Sequence, residues 1–260
     1  MSSTQTPVDN DLKGRLALVT GASGGIGAAC ARKLHSHGVH LALTYSSNPT
    51  SIASLVSSLQ ESPVSGVRIS THQLDLTHAE TSLPTLLPQI TAHHGLPVTI
   101  LISNAGRGVR HPQITDIPLQ EFDATMAINV RAPFLLVQGV VEGMQKERWG
   151  RIVFVSSIAA YGAGVNGAHY AASKGAVVGM MKNLATRLAE WGISVNDVAP
   201  AMIGDTGMFP SPDTVPGIVD TIPIGRLGKP DEVANAVEMF CKTGYMTGQS
   251  VVIAGGLNHK

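Results

Sequence analysis

Three side chains in this sequence have types and spacing suited to proton transfer: Ser157, Tyr170 and Lys174. Tyr170 and Lys174 stand four apart, which puts them on one face of a helix, one turn from each other. A free tyrosine phenol titrates near ~10, too high for easy proton exchange at neutrality, and a neighbouring ammonium favours the phenolate and lowers it. Lys174 is expected to act in that way on Tyr170. Ser157, thirteen residues before the tyrosine, has a hydroxyl able to polarise a carbonyl oxygen. By themselves the pair would read as a half-buried aromatic beside a solvated lysine; the upstream segments give it weight.

Arg15-Leu-Ala-Leu-Val-Thr20 reads as a buried strand running into Gly21-Ala-Ser-Gly-Gly-Ile-Gly27 and a helical stretch. Glycines at 21, 25 and 27 form a turn in which missing side chains let backbone N–H groups approach a diphosphate at a helix N-terminus. The spacing is G-x-x-x-G-x-G rather than the common G-x-G-x-x-G, and an ordinary tight turn is the competing reading.

Together these segments resemble the short-chain dehydrogenase/reductase family, over roughly residues 15–257. The motifs are Thr20 to Gly27, Asn104-Ala105-Gly106, the Ser157, Tyr170 and Lys174 set, Asp75-Leu76, Asn129 within Ile-Asn-Val, and Val195 to Pro200. Segments 199–208 and 224–233 resemble the 3-oxoacyl-carrier-protein reductase-like branch. The resemblance implies a single Rossmann-type α/β domain, a doubly wound parallel sheet of about seven strands in the order 3-2-1-4-5-6-7, with a dinucleotide across the strands' carboxyl ends. It also implies that Tyr170 is the proton donor, that Lys174 lowers its pKa and bonds the nicotinamide ribose, and that Ser157 holds the carbonyl oxygen. Asn129 is expected to bind a water connecting the lysine to solvent. Implied cofactor contacts are Gly21, Ser23, Gly25, Ile26, Gly27, Tyr45, Ser46, Ser47, Asp75, Leu76, Asn104, Ala105, Gly106, Ile203 and Thr206, besides Tyr170 and Lys174.

Several positions carry a second reading. Asp75 could cap a helix starting near Thr77 instead of touching adenine, and Asn104 could tie neighbouring strands together. Ser156 reads as structural beside Ser157. Pro200-Ala201 departs from the family's Pro-Gly, and the segment reaching Thr206 is one residue longer than in bacterial reductases, which weakens the Thr206 assignment. Arg107 and Arg110 could reach a substrate anion but read better as solvated loop charges.

An acidic residue at the end of the second strand accepts ribose hydroxyls in NAD enzymes of this family and repels a 2′-phosphate. Here Tyr45 stands there, followed by Ser46, Ser47 and Asn48, so NADP is expected in preference to NAD.

Composition narrows the rest. The 260 residues suit one large α/β domain, 43% are hydrophobic and only 14% charged, and 18 basic residues balance 18 acidic ones. Nothing points to nucleic acid or an anionic membrane surface. Cys30 and Cys241 read as buried free thiols of a reducing compartment, with a disulfide left open. The polar first fifteen residues lack a signal-peptide core, no apolar run reaches membrane-spanning length, and Asn258-His-Lys260 is no peroxisomal signal. Cytoplasm is therefore expected. The ten histidines show no metal-ligand pattern; His35, His37, His93 and His94 read as surface residues.

The elements that must position these residues follow from apolar runs at 16–20, 39–45, 67–72, 98–103, 152–156, 193–199 and 250–254. They carry little alternation, as strands buried on both faces do. Residues 1–14 read as a flexible tail and 15–260 as the domain. Pro84 and Pro88 predict a broken or bent helix over 77–94. Four prolines and three glycines between 203 and 223 predict an irregular lid over the substrate. Apolar helices over 126–143 and 171–188 predict burial between subunits, a homotetramer or at least a dimer.

The chemistry expected is NADP-dependent reduction of a small-molecule ketone, with a 3-oxoacyl thioester as one candidate, to a secondary alcohol. An oxidation-directed alcohol, polyol or steroid dehydrogenase is the rival enzyme, and a non-catalytic dinucleotide sensor is the rival of another class.

Overall fold

Runs of Val, Ile and Leu without alternation become the middle strands of a sheet covered on both faces. The computed structural model describes residues 8–162, 164–208 and 216–257. Among them the strands are β1 (Leu16–Val19), β2 (His40–Tyr45), β3 (Ile69–Gln73), β4 (Val98–Ser103), β5 (Gly150–Val155), β6 (Ile193–Pro200) and β7 (Ser250–Ile253). They form one parallel sheet in the order β3-β2-β1-β4-β5-β6-β7, as the sequence implied. Chain direction across the sheet reverses between β1 and β4, opening a crevice at the carboxyl ends of the strands.

Helices α1 (Gly25–Ser36), α2 (Pro49–Glu61) and α7 (Pro230–Lys242) cover one face, with Leu34, Leu55 and Phe240 packed on β1, β2 and β4. Helices α3 (Ala79–His94), α5 (Ala132–Glu147) and α6 (Ala168–Leu188) cover the other, where Ile90, Leu136 and Met181 meet Leu18, Leu101 and Phe154. Each fully buried aliphatic or aromatic side chain contributes about 1.5–3 kcal/mol over exposure, so two such layers fix the strands firmly.

Several expectations are corrected. α3 is continuous through Pro84 and Pro88. Both prolines lie on its exposed side, so the carbonyls they leave unbonded face water, while Leu83, Leu86, Leu87 and Ile90 pack inward. β5 starts two residues early, at Gly150-Arg151. Arg151 is buried because its guanidinium bonds the carbonyls of Cys241, Gly150 and Asp9 and lies 4.2 Å from the Trp149 ring centroid. Finally, His35 and His94 are buried, not on the surface. Desolvation lowers both, His94 to about 4, with the neighbouring positive groups His93, His40, Arg68 and His72 adding to the effect there.

The described end of the expected tail is anchored: Leu12 is buried and the Asp9 carbonyl accepts from Trp149 Nε1 at 3.0 Å. Helix α4 (Leu119–Met126), a π-turn (Ala127–Arg131) and α5 form one helical run, Leu119–Glu147. With a window of mean hydropathy 1.4 it is long and apolar enough to cross a membrane, which corrects the expectation that no run reaches that length. Its α5 part packs on the sheet through Leu136, Val137, Val140 and Met144. Cys30 and Cys241 are free and buried, and burial pushes both thiols up, Cys241 to about 12.

Candidate active site

β1 ends at Val19, and the chain turns through Gly21 into α1, whose N-cap Gly24 offers no side chain and whose first turn holds no acid. The helix therefore presents uncapped N–H groups and the positive end of its dipole at the crevice, the arrangement that binds phosphates. A side chain at Gly25 has no room: its Cβ would lie 2.2 Å from the Asp205 carbonyl oxygen. Asn104 fastens the turn from β4, its Nδ2 donating to the carbonyls of Thr20 at 2.9 Å and Gly21 at 3.2 Å. The tie between strands read as one option for Asn104 is thus present.

Ser157 follows β5 directly, and Tyr170 and Lys174 lie one turn apart on α6, both buried. Burial pushes the Tyr170 phenol up to about 12, while the Ser157 hydroxyl works in the opposite direction. Lys174 donates to the Val155 carbonyl at 2.9 Å, and its Nζ lies 5.6 Å from the tyrosine ring centroid. Its own pKa is lowered to about 8 by desolvation, with Asp197 opposing. The expected depression of Tyr170 by Lys174 is therefore corrected: the ammonium is turned to a backbone carbonyl, and desolvation of the phenol dominates.

Asn129 occupies the π-turn between α4 and α5, a distortion often found at functional sites. Its Nδ2 donates to the Arg107 carbonyl at 2.9 Å and to Ser173 Oγ at 3.0 Å, and its Oδ1 accepts from Arg107 N at 2.7 Å. Gly106 keeps Asn129 and Lys174 close to one strand end, since a Cβ there would lie 3.3 Å from Lys174 Nζ and 3.4 Å from Asn129 Oδ1. Arg107 is no free loop charge. It makes a bidentate pair with Glu121 on α4, at 2.8 and 2.5 Å, which raises the arginine and lowers the acid.

One cavity of about 690 Å³ spans the carboxyl ends of β3, β2, β1, β4, β5 and β6. That volume lies within the ~300–1,000 Å³ typical of cofactor and small-molecule sites. It is lined by the expected Gly21, Ser23, Gly25, Ile26, Tyr45, Ser46, Asp75, Leu76, Asn104, Ala105, Gly106, Ser157, Tyr170, Lys174, Ile203 and Thr206. Gly27, Ser47 and Asn129 are not on its wall: Gly27 is buried behind the turn, Ser47 is exposed, and Asn129 stands behind Gly106. Asp75 combines its two readings in one place, lining the cavity and capping the turn at Leu76–His78 by accepting from Thr77 N at 2.9 Å, which lowers its pKa.

Beyond Tyr170 the walls are Val109, Ile158, Val165, Asn166, Met202 and Met208, which sequence reasoning located only as loops. Of the expected lid, residues 209–215 lie outside the described residues. The described part crosses the glycine turn with Met202 and Asp205 in left-handed backbone conformations, φ 52° and 54°. Non-glycine residues held so cost about 1–3 kcal/mol each and cluster at functional sites. Thr206 Oγ1 donates to the Ile203 carbonyl at 3.0 Å. Among the described residues no group of His, Cys, Asp and Glu is placed to hold a metal ion.

A doubly wound parallel sheet, a glycine turn opening on its switch point and a buried Ser-Tyr-Lys set define a dinucleotide-fold oxidoreductase. A family profile described as short chain dehydrogenase matches residues 15–214. Dehydrogenase/reductase SDR family member 4 of Bos taurus is 36% identical over 256 residues, covering 96% of this chain and 90% of that protein. The 3-oxoacyl-[acyl-carrier-protein] reductase FabG of Rickettsia bellii is 34% identical over 250 residues, covering 95% and 98%. Among solved structures, a blue fluorescent protein from a metagenomic library in complex with NADPH superposes with a TM-score of 0.84 at 33% identity, covering 95% of this chain and 98% of that one. This chain belongs to the short-chain dehydrogenase/reductase family and is an oxidoreductase close to its FabG-like members.

Proposed function

We propose that this protein reduces a ketone to a secondary alcohol with NADPH, Tyr170 being the proton donor. The observation that carries the reading is that Ser157, the buried Tyr170 and Lys174 converge on the wall of one cavity that also holds the glycine turn. Gly21, Ser23, Gly25 and Ile26 would hold the diphosphate, Asp75 and Leu76 the adenine, and Asn104, Ala105 and Gly106 the adenosine ribose. Ile203 and Thr206 would meet the carboxamide, and Lys174 the nicotinamide ribose. The cofactor, when bound, supplies the hydride.

Ser157 Oγ orients the carbonyl oxygen, which gains negative charge as it is reduced. Tyr170 Oη, kept protonated by burial, then gives its proton to that oxygen. Asn129 anchors the loop at Arg107 and keeps the floor near Lys174 in place. The apolar walls at Val109, Ile158, Val165, Met202 and Met208 exclude water and favour an uncharged substrate segment. Support for NADPH comes from the neutral Tyr45 and Ser46 on the cavity wall and from the NADPH complex of the metagenomic relative. A cytoplasmic homotetramer completes the reading.

The test is a panel of ketones, acyl thioesters and alcohols assayed with NADPH, NADH and their oxidised forms. The expected result is turnover of ketones with a higher kcat/KM for NADPH than NADH. Turnover of alcohols alone would replace the reductase reading with the dehydrogenase one.

A further inference from the structure

His169, the residue before Tyr170 on α6, is buried, and the mechanism above leaves it without a task. Its Nε2 donates to the Val109 carbonyl at 3.2 Å, since that oxygen can only accept. Nδ1 is then the bare nitrogen of the ring, and it has no hydrogen-bond partner among the described residues. An apolar side chain would fill the same place without stranding a polar atom, so packing alone does not account for a histidine here. The bond to Val109 does.

Val109 belongs to the loop after β4, and the segment 164–167 that leads into α6 is bound to the same loop at further points. His111 N donates to the Asn166 carbonyl at 2.9 Å, and Asn166 Nδ2 donates to the Gly108 carbonyl at 3.3 Å. The His111 and His169 rings meet edge to face with centroids 5.7 Å apart. The two segments lie so close that a Cβ at Gly167 would stand 2.1 Å from the His111 carbonyl oxygen, and one at Gly108 would stand 2.6 Å from Asn166 Nδ2 and 2.8 Å from Met208. Gly108, Val109, Asn166 and Met208 all line the cavity that holds Tyr170. Arg107, at the root of the loop, is paired with Glu121 and gives this wall no free charge. We propose that His169 is a positioning residue for specificity: by pinning Val109 it fixes the loop after β4 as a rigid wall, so that the site takes compact, uncharged ketones and turns away bulky, branched ones. A wall tied to a second segment by hydrogen bonds cannot yield to a bulky group without breaking them, and such preorganisation turns a difference in width into a difference in rate. The inference rests on the reductase reading for its substrate class only.

Two measurements test it. His169→Phe keeps a ring of similar shape but removes the donor, whereas His169→Gln restores an N–H near the position of Nε2. In wild type, kcat/KM for methyl ketones should fall at least about tenfold as the second substituent grows from ethyl to tert-butyl, the scale on which a pocket discriminates by small changes in bulk. His169→Phe should shrink that gap to within about threefold and His169→Gln should keep it, with NADPH binding close to wild type in both. An equal gap in wild type and His169→Phe, or the same change in both variants, would show a merely structural role and overturn the proposal. Wild type that reduces the bulky ketones as readily as the slender ones overturns it too. Independently of any substrate, the His111 amide should exchange its hydrogen slowly in wild type and at least about tenfold faster in His169→Phe, because local opening of the loop then breaks one bond fewer. An unchanged rate in the variant overturns the pinning. So does fast exchange at His111 in wild type, a result that requires no variant to fold. Wild-type protein that turns over no ketone would instead remove the reductase reading, and the His111 exchange rate would then decide the wall.

Discussion

Lys174→Met should make the protein more stable at neutral pH while abolishing turnover. The ammonium is buried, and desolvation lowers its pKa from 10.5 to about 8. At about 1.4 kcal/mol per pKa unit, keeping that charge inside costs about 3 kcal/mol of folding free energy below pH 8. The folded state holds the proton more weakly than the unfolded state, so stability rises with pH between 8 and 10.5 as this cost disappears. Methionine fills much of the same volume and carries no charge, but leaves the Val155 carbonyl without its donor, a loss of about 1–2 kcal/mol. The net gain is about 1–2 kcal/mol at pH 7. At pH 10, where the wild-type penalty has fallen below about 1 kcal/mol, methionine loses its advantage. Urea unfolding of both proteins at pH 7 and 10 measures this. A variant less stable than wild type at pH 7, or a gap independent of pH, would refute the account of Lys174 as a costly charge retained for chemistry.

Other consequences are simpler to read. Tyr45→Asp should move the preference from NADPH towards NADH in steady-state kinetics, because a carboxylate repels a 2′-phosphate; an unchanged ratio would place the discriminating contact elsewhere. Gly25→Ala sets a Cβ against the Asp205 carbonyl at 2.2 Å, so NADPH binding measured by fluorescence should weaken at least tenfold as the turn or the crossing segment shifts. Binding equal to wild type would mean that this segment yields freely. Light scattering should give a tetramer, or at least a dimer, at micromolar concentration, with Phe122 and Phe134 on the exposed faces of α4 and α5 as candidates for burial; a stable monomer would contradict the subunit expectation.

Much of the site was legible because its chemistry is local in sequence. Tyr170 and Lys174 share a helix turn, Ser157 ends a strand, and the glycine turn announces itself by missing side chains. Strand order followed from these motifs through resemblance, and the apolar runs located the sheet. What stayed illegible depends on distant partners. Arg151, the second residue of β5, lies in the core because Trp149, Asp9 and Cys241 receive its guanidinium. Arg107 is committed to Glu121, which no spacing rule links to it. The continuity of α3 depends on which side of the helix Pro84 and Pro88 fall, and the burial of His94 on the packing of α3 beside β3, where Ser70 bonds its ring. The direction of the Tyr170 shift was misjudged for the same reason: sequence spacing shows the lysine but not the depth of burial, nor that its ammonium turns to Val155.

The most direct test of the central claim is turnover by Tyr170→Phe. The phenyl ring preserves packing in the core and the cavity wall, so NADPH binding should stay within a few-fold of wild type. Reduction of the best ketone should fall by about 10²–10⁴-fold, the range for loss of a positioned general acid. Turnover within tenfold of wild type, with the same pH profile, would contradict the assignment of Tyr170 as the proton donor.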